Sequence, residues 1–296
     1  MFIGIDLGGT KIEVVVLDAQ SKELFRHRLP TPQNNYAATL QAIKELISLA
    51  DTHCESLGKI GVGIPGAISP ATGLIKNANS TCLIGKDLHH DLEKLLRRPV
   101  KIANDADCFA LSEATDGSGQ GFKSVFAIIM GTGVGGGIVI NGSLLQGPNA
   151  ICGEWGHNPL PWLTEGDHPI IPCYCGKSGC IETYISGPAF SQRYLNSKEP
   201  LMPKQIWDMA AKGNVQAKKH CEQFLDQTAR ALASVINILD PEIIVLGGGL
   251  SNIDILYEEI PRRWQEYAFS DQVSTQLSKA KYGDSSGVRG AAWLWR

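Results

Sequence analysis

The stretches "IGIDLGGTKIEVVV", residues 3–16, and "AIIMGTGVGGGIVI", residues 127–140, are two versions of one device. Each runs from an apolar strand through a Gly/Thr turn into a second strand rich in β-branched residues. Such a repeat in a chain of 296 residues predicts two similar halves facing each other across a cleft. Coincidence competes with duplication, because Gly-rich hairpins are common.

The remaining pattern agrees with a mixed α/β class, hairpins followed by helices, twice. "KELFRHRLP" reads as a third strand closed by Pro30 and Pro32. Leu40, Ile43, Leu46, Ile47 and Ala50 carry helical spacing over Tyr36–Cys54. "KIGVGIPG" is a short buried strand, and "PVKIANDADCFALSEA" is a strand running into a helix with Asn104 and Asp105 at the junction. The polar, Gly-rich run Thr115–Lys123 reads as a linker. Residues 1–116 then form the first α/β domain and 117–283 the second. Long helical spacing covers Gln216–Leu239, "EIIVLGGGLS" feeds a third glycine turn, Asn252–Tyr267 reads as a helix, and the tail "DSSGVRGAAWLWR" as a short apolar one.

Glycine turns let backbone N–H groups approach a phosphate where no side chain intervenes. Gly4 to Lys11 offers two glycines at P-loop spacing, but Thr10-Lys11 follows in place of Lys-Ser/Thr, and the next segment is a strand. A P-loop needs a helix N-terminus there, and so does the dinucleotide fingerprint. A pair of phosphate hairpins remains: Asp6, Gly8, Gly9, Thr10 and Lys11, with Gly4 in the strand, and Gly131, Thr132, Gly133, Gly135 and Gly136. Gly247 and Gly248 end a third strand. Tight β-turns without a ligand are the simpler explanation of any one hairpin; the matched pair favours phosphate. Asp6 closes a buried strand, where a carboxylate is costly without a partner, and magnesium through water suits it.

"IIPCYCGKSGCIETY", residues 170–184, holds Cys173, Cys175 and Cys180, with His157 upstream. Three thiolates and one imidazole make a tetrahedral set suited to zinc, with no open position, so a structural ion is expected. Cys173 and Cys175 are too near for an unstrained disulfide in most backbones. The other cysteines are scattered and read as ordinary free thiols. Joining His157 to Cys180 would also bring Glu154 and Glu182 together, and with Asp105 they form a set of directed acceptors suited to a polyhydroxylated ligand. Asp105 alone would equally serve as a helix N-cap.

A net charge of −3 gives no basic field for nucleic acid or an anionic membrane surface. No apolar run reaches the ~18 residues of a membrane helix, and "MFIGIDLGGTK" shows no signal-peptide pattern. A cytosolic protein is expected, with cysteines as thiols or metal ligands.

"GIDLGGTK", "NDA", "GTGVGGG", "GEWGH" and "CYCGKSGCIE" resemble the ROK group of sugar kinases and sugar-responsive repressors, end to end. "GEWGHNPLPW", "KNANS" and "GDSSGVRGAAWLW" look most like the fructokinases of that group that also accept mannose. The resemblance implies an actin-like (ribonuclease H-like) duplicated fold, two α/β domains hinged about a cleft, with the C-terminal helix 284–296 returning to the first. It implies Asp105 as catalytic base; Asn104, Glu154, His157 and Glu182 as sugar ligands, with Gly66 and Asn79 as neighbours; and His157, Cys173, Cys175 and Cys180 as zinc ligands. His157 would both bind zinc and face the sugar. "NDAD" carries Asp107 where many relatives have Asn.

The expected activity is phosphorylation of the 6-hydroxyl of D-fructose by ATP with magnesium. Its alternatives are an N-acetylglucosamine or glucose kinase of the same group and, in another class, a non-catalytic sugar sensor. ROK repressors carry an N-terminal helix-turn-helix, for which a first strand starting at Phe2 leaves no room. Relatives are often dimers.

Overall fold

A computed structural model describes residues 1–78, 80–195 and 201–296; Asn79 lies outside them. Strands β1 (Phe2–Leu7), β2 (Lys11–Leu17) and β3 (Glu23–Pro30) precede helix α1 (Tyr36–Cys54) and strand β4 (Lys59–Ile64). The short pair β5 (Ala67–Ile68) and β6 (Ile75–Lys76), helix α2 (Leu88–Leu96), strand β7 (Val100–Asn104) and helix α3 (Asp105–Thr115) follow. Next come β8 (Ser124–Met130), β9 (Val134–Ile140), β10 (Ser143–Leu144), α4 (Glu182–Ile185), α5 (Gly187–Gln192), α6 (Pro203–Ala211) and α7 (Val215–Leu239). The chain closes with β11 (Ile243–Gly247), α8 (Leu256–Trp264), β12 (Gln276–Lys279) and α9 (Ser286–Trp293).

One sheet has the order β3-β2-β1-β4-β7 and the other β10-β9-β8-β11-β12. In the first, β1 pairs antiparallel with β2 and parallel with β4, and β4 runs parallel to β7. In the second, β11 runs parallel to both β8 and β12. Each sheet thus places a hairpin strand beside two later parallel strands in the same order, the duplicated actin-like pattern that the repeat at residues 3–16 and 127–140 predicts.

The chain divides into two compact units: residues 1–121, 137–152 and 281–296, and residues 122–136 and 153–280. The sequence reading places boundaries after residues 116 and 283, with helix 284–296 returning to the first domain. In the structure residues 137–152 group with the first unit, so the division runs through β9.

In the first unit the alternation of β1 and β2 sorts residues to two faces. Ile3, Ile5, Leu7, Ile12, Val14 and Val16 pack with Ile43, Leu46, Ile47 and Ala50 of α1. Val15 and Leu17 pack with Leu111, Val288, Ala292 and Trp293, carried by α3 and α9. Helix α9 is seated by glycines: a Cβ on Gly4 would strike the Val288 carbonyl, and one on Gly290 the Cys108 carbonyl. Buried ionic contacts fix the same helix, with Arg289 paired to Asp116 and Ser286 Oγ donating to Glu113 Oε1 at 2.7 Å.

In the second unit Phe190 of α5 meets Phe224 of α7 edge-on at 4.9 Å and stacks on Trp207 of α6 at 5.9 Å. Arg230 of α7, buried, ties down the segment after His157. It pairs with Asp167 at 2.9 Å and donates to the carbonyls of Pro161 and Trp162. α8 is shorter than the helix expected over Asn252–Tyr267: Asn252 ends a 3-10 turn, and residues 254–255 and 265–267 on either side of α8 are turns.

Candidate functional site

In the first unit, the turn between β1 and β2 closes through Gly8 N–H donating to the Lys11 carbonyl at 3.0 Å. Thr31 buttresses it, its hydroxyl donating to the Gly8 carbonyl at 2.7 Å and its N–H to the Thr10 carbonyl at 3.0 Å. Gly9 and Thr10 are exposed at the tip. Gly4, grouped with the turn glycines from sequence, lies buried within β1 under α9, so packing accounts for it.

Asp6 faces its cross-strand partner Glu13. Its carboxyl rises from the ordinary 3.8 to about 7: burial is the main cause, the Asp105 and Glu13 charges add to it, and Lys11 opposes them. Glu13 is buried and gathers cations, with Arg26 Nη1 at 2.5 Å, Arg28 Nε at 2.9 Å and Lys11 Nζ at 3.7 Å. Sequence reasoning passed over Glu13, although a charge inside "KIEVVVL" is a signal that it has a buried partner.

Asp105 opens α3 as its first residue. The N-cap is Asn104, whose Oδ1 accepts from Ala106 N–H at 2.8 Å and whose Nδ2 donates to the Gly66 carbonyl at 3.0 Å. Asp105 Oδ1 also accepts from Ala106 N–H at 2.8 Å. Gly66 needs φ +133°, and a Cβ there would meet the Lys76 carbonyl at 2.8 Å and Ala78 Cα at 2.9 Å. Gly66, Asn104 and Asp105 are therefore one assembly. Asn104 holds the N-cap position, and Asp105 shares with it the bond from Ala106 N–H.

In the second unit, Gly131 N–H donates to the Gly133 carbonyl at 3.0 Å, and Gly187 N–H to the Gly131 carbonyl at 2.9 Å. Thr132 is exposed between them. Gly135 and Gly136 stand inside β9 and not in the turn. Gly247 ends β11; Gly248 follows at φ +79°, and a Cβ there would lie 2.5 Å from the Met130 carbonyl. The 3-10 turn Glu154–His157 sits against β9, since a Cβ on Gly156 would strike the Val134 carbonyl. Glu182, first residue of α4, accepts from Val134 N–H at 2.8 Å.

His157, Cys173, Cys175 and Cys180 bring their donor atoms within 4.8 Å of one another. Cys173 Sγ is 3.6 Å from His157 Nδ1, and Cys175 Sγ 3.6 Å from Cys180 Sγ. Zinc bonds of about 2.3 Å to sulfur and 2.0 Å to nitrogen put tetrahedral ligands roughly 3.5–3.8 Å apart, so the donors fit such an ion. Gly176 (φ +86°) and Gly179 (φ +74°) supply the backbone the loop needs. Burial pushes Cys180 up to about 12 and raises Cys173, while the Lys177 N–H holds Cys175 below the usual thiol value. Three thiolates together need a cation. His157 Nε2 points out of the set, 3.0 Å from the Tyr174 hydroxyl. Sequence reasoning quoted Tyr174 without giving it a role.

Residues 2–296 match the pattern of the ROK family. The chain belongs to the ROK family. An N-acetyl-D-glucosamine kinase from Yersinia pseudotuberculosis is 42% identical to this ROK chain, covering 99% of it and 98% of the relative. Among solved structures, the ROK hexokinase from Thermus thermophilus superposes with a TM-score of 0.87 at 29% identity, covering 98% and 96% of the two chains. A ROK glucokinase from Streptomyces griseus, in complex with glucose and AMPPNP, gives 0.78 at 26% identity, covering 99% and 98%. Among the described residues no helix is long and apolar enough to cross a membrane.

Proposed function

We propose that this ROK protein is an ATP-dependent hexose kinase acting on the sugar 6-hydroxyl. The observation that carries the proposal is Asp105 at the start of α3, next to the N-cap Asn104 and close enough to Asp6 to raise its proton affinity, in a chain whose full length matches sugar-kinase relatives.

Asp105 accepts the proton of O6 as the O6–phosphorus bond forms and the bond to the leaving ADP breaks. Proton acceptance of this kind contributes about 10²–10⁴-fold. Phosphoryl transfer depends mainly on positioning and charge stabilisation. Backbone N–H groups at the tips of the 8–11 and 131–133 turns, beyond those of Gly8 and Gly131 that close the turns, hold the phosphates and nucleotide together with Thr10, Lys11, Thr132 and the Gly247-Gly248 end of β11. Asp6, whose charge is disfavoured by burial and two neighbouring acids, would hold the magnesium that accompanies ATP, and the cation would supply charge to offset the phosphates. Asn104, Glu154, His157 and Glu182 hold sugar hydroxyls, with Gly66 and Asn79 as neighbours. Zinc on His157, Cys173, Cys175 and Cys180 supplies rigidity to the loop that carries His157 and Glu182.

The acceptor has two readings, each with its own support. The Yersinia relative supports N-acetylglucosamine. "KNANS", "GEWGHNPLPW" and "GDSSGVRGAAWLW", which flank the proposed site residues, support fructose with mannose second.

A coupled ADP-release assay with magnesium and ATP across fructose, mannose, glucose and N-acetylglucosamine tests both levels. Turnover with any hexose is the expected result, and its preference selects the acceptor. A folded, zinc-loaded protein without turnover on every sugar overturns the kinase proposal and favours a sugar sensor.

A further inference from the structure

His157 has two ring nitrogens with different surroundings. Nδ1 faces Cys173 Sγ within the donor set, and Nε2 faces the Tyr174 hydroxyl at 3.0 Å, with the two rings edge-on at 5.1 Å. When Nδ1 is a ligand, Nε2 carries the hydrogen and donates it to the phenol oxygen. The phenol then has its own O–H left to donate.

Tyr174 is anchored at its backbone and exposed at its ring. Its backbone lies between Cys173 and Cys175, in a loop closed by Cys173 N–H donating to the Lys177 carbonyl at 2.7 Å. Its side chain is 81% exposed, so packing does not fix its rotamer. The phenol is the partner Nε2 already has, so a ligand group that bonds Nε2 has to share or displace it. A bare hydroxyl is small enough to bond the phenol or slip beside it. An acetamido group is several atoms larger and requires the ring to leave.

We propose that Tyr174 is a specificity-determining residue, whose phenol over His157 Nε2 favours hexoses presenting a bare hydroxyl there over hexoses presenting an acetamido group. The inference rests on His157 being a sugar ligand of the kinase proposed above. It concerns a selectivity ratio, so it holds whichever sugar the wild-type protein prefers. Removing the ring shifts that ratio toward the acetamido sugar; removing only the hydroxyl frees Nε2 and shifts it less.

The test measures dissociation constants by calorimetry, and kcat/KM, for fructose and N-acetylglucosamine in the wild type, Tyr174→Phe and Tyr174→Gly. Zinc content and the KM for ATP are measured in parallel. The expected result is a shift toward N-acetylglucosamine of at least about tenfold in Tyr174→Gly and about threefold in Tyr174→Phe, with zinc unchanged and the KM for ATP within about twofold. Ratios within about threefold of wild type in Tyr174→Gly, or a shift toward fructose, overturn the inference, as does loss of zinc from both variants. Wild-type protein that binds sugar without turnover overturns the kinase proposal and leaves the dissociation constants to decide this one. Wild-type protein that binds neither sugar overturns both.

Discussion

Glu182 Oε2 accepts a hydrogen bond from the backbone N–H of Val134 at 2.8 Å, and a Cβ on Gly133 would lie 2.5 Å from the same oxygen. The second glycine turn and the acid after the thiol loop thus share one contact. Gly133 is required there for space, and it has no need of a positive φ.

Gly133→Ala should therefore act on the sugar side as well as the phosphate side. The added methyl pushes the Glu182 carboxylate away and breaks a charge-assisted bond worth about 1.5–3 kcal/mol. The expected outcome is a rise in the KM for sugar of roughly tenfold or more, with zinc content unchanged. Steady-state kinetics and metal analysis check it; an effect confined to the KM for ATP would place Glu182 outside the sugar site.

Asp105→Asn should separate binding from chemistry. The Asn side chain can still accept from Ala106 N–H, which Asp105 Oδ1 does at 2.8 Å, so the start of α3 is preserved. Sugar affinity should stay within a few-fold, and kcat should fall by about 10²–10⁴. Near-normal turnover would remove Asp105 as the base.

The parts of this chain that sequence reveals are those set by local spacing. Helix α1 follows from its apolar spacing, and the β7–α3 junction from an apolar run ending in Asn-Asp. The donor set follows from three cysteines in one short loop. The parts it conceals depend on partners distant in sequence. Gly4 reads as a phosphate-site glycine until α9, from the far end of the chain, is seen lying on it. Gly135 and Gly136 read as turn residues but continue β9, because a glycine-rich strand has no side chains to mark its alternation. Which of Asn104 and Asp105 caps α3 is a difference in backbone geometry between adjacent residues that both suit a cap. Glu13 needs Arg26 and Arg28 from the next strand before its burial makes sense.

The glycine by which α9 rests on α3 predicts a stability effect without a direct change in the site residues. Gly290→Ala would drive a methyl into the Cys108 carbonyl and lift α9 from α3. Overpacking against backbone costs about 1–3 kcal/mol or more, since the clashing atom cannot rotate away. Thermal unfolding should fall by several degrees, accompanied by faster proteolysis of the C-terminal segment. An unchanged melting temperature would mean that α9 is not seated as described.

Chelation tests the donor set. Burial raises two of the three thiols, so the apo loop keeps them protonated and loses the cation that holds the cluster together. Wild-type protein should contain about one zinc per chain, and its prolonged chelation should lower sugar affinity and melting temperature together. Protein that is folded and fully active with no zinc would remove the metal from this account.

Asp6 predicts a pH dependence with a definite sign. Its carboxyl is raised in the folded protein to about 7, from the ordinary 3.8. Between those values the unfolded chain has released the proton and the folded chain retains it, so stability falls as pH rises. Below about 4 the effect vanishes, because both states are protonated; as pH rises through about 7 the folded carboxyl ionises too and the penalty levels off. Asp6→Asn, which has no charge to bury, should therefore match wild type in melting temperature near pH 4 and exceed it progressively up to pH 8. The same variant should lose turnover, because it no longer attracts the cation that accompanies ATP. In wild type at pH 8, magnesium with a non-hydrolysable ATP analogue should recover much of the deficit. Scanning fluorimetry across pH, with and without that ligand, reads all three effects. A melting-temperature difference between variant and wild type that does not change with pH would show that Asp6 ionises in the folded protein as it does in the unfolded chain.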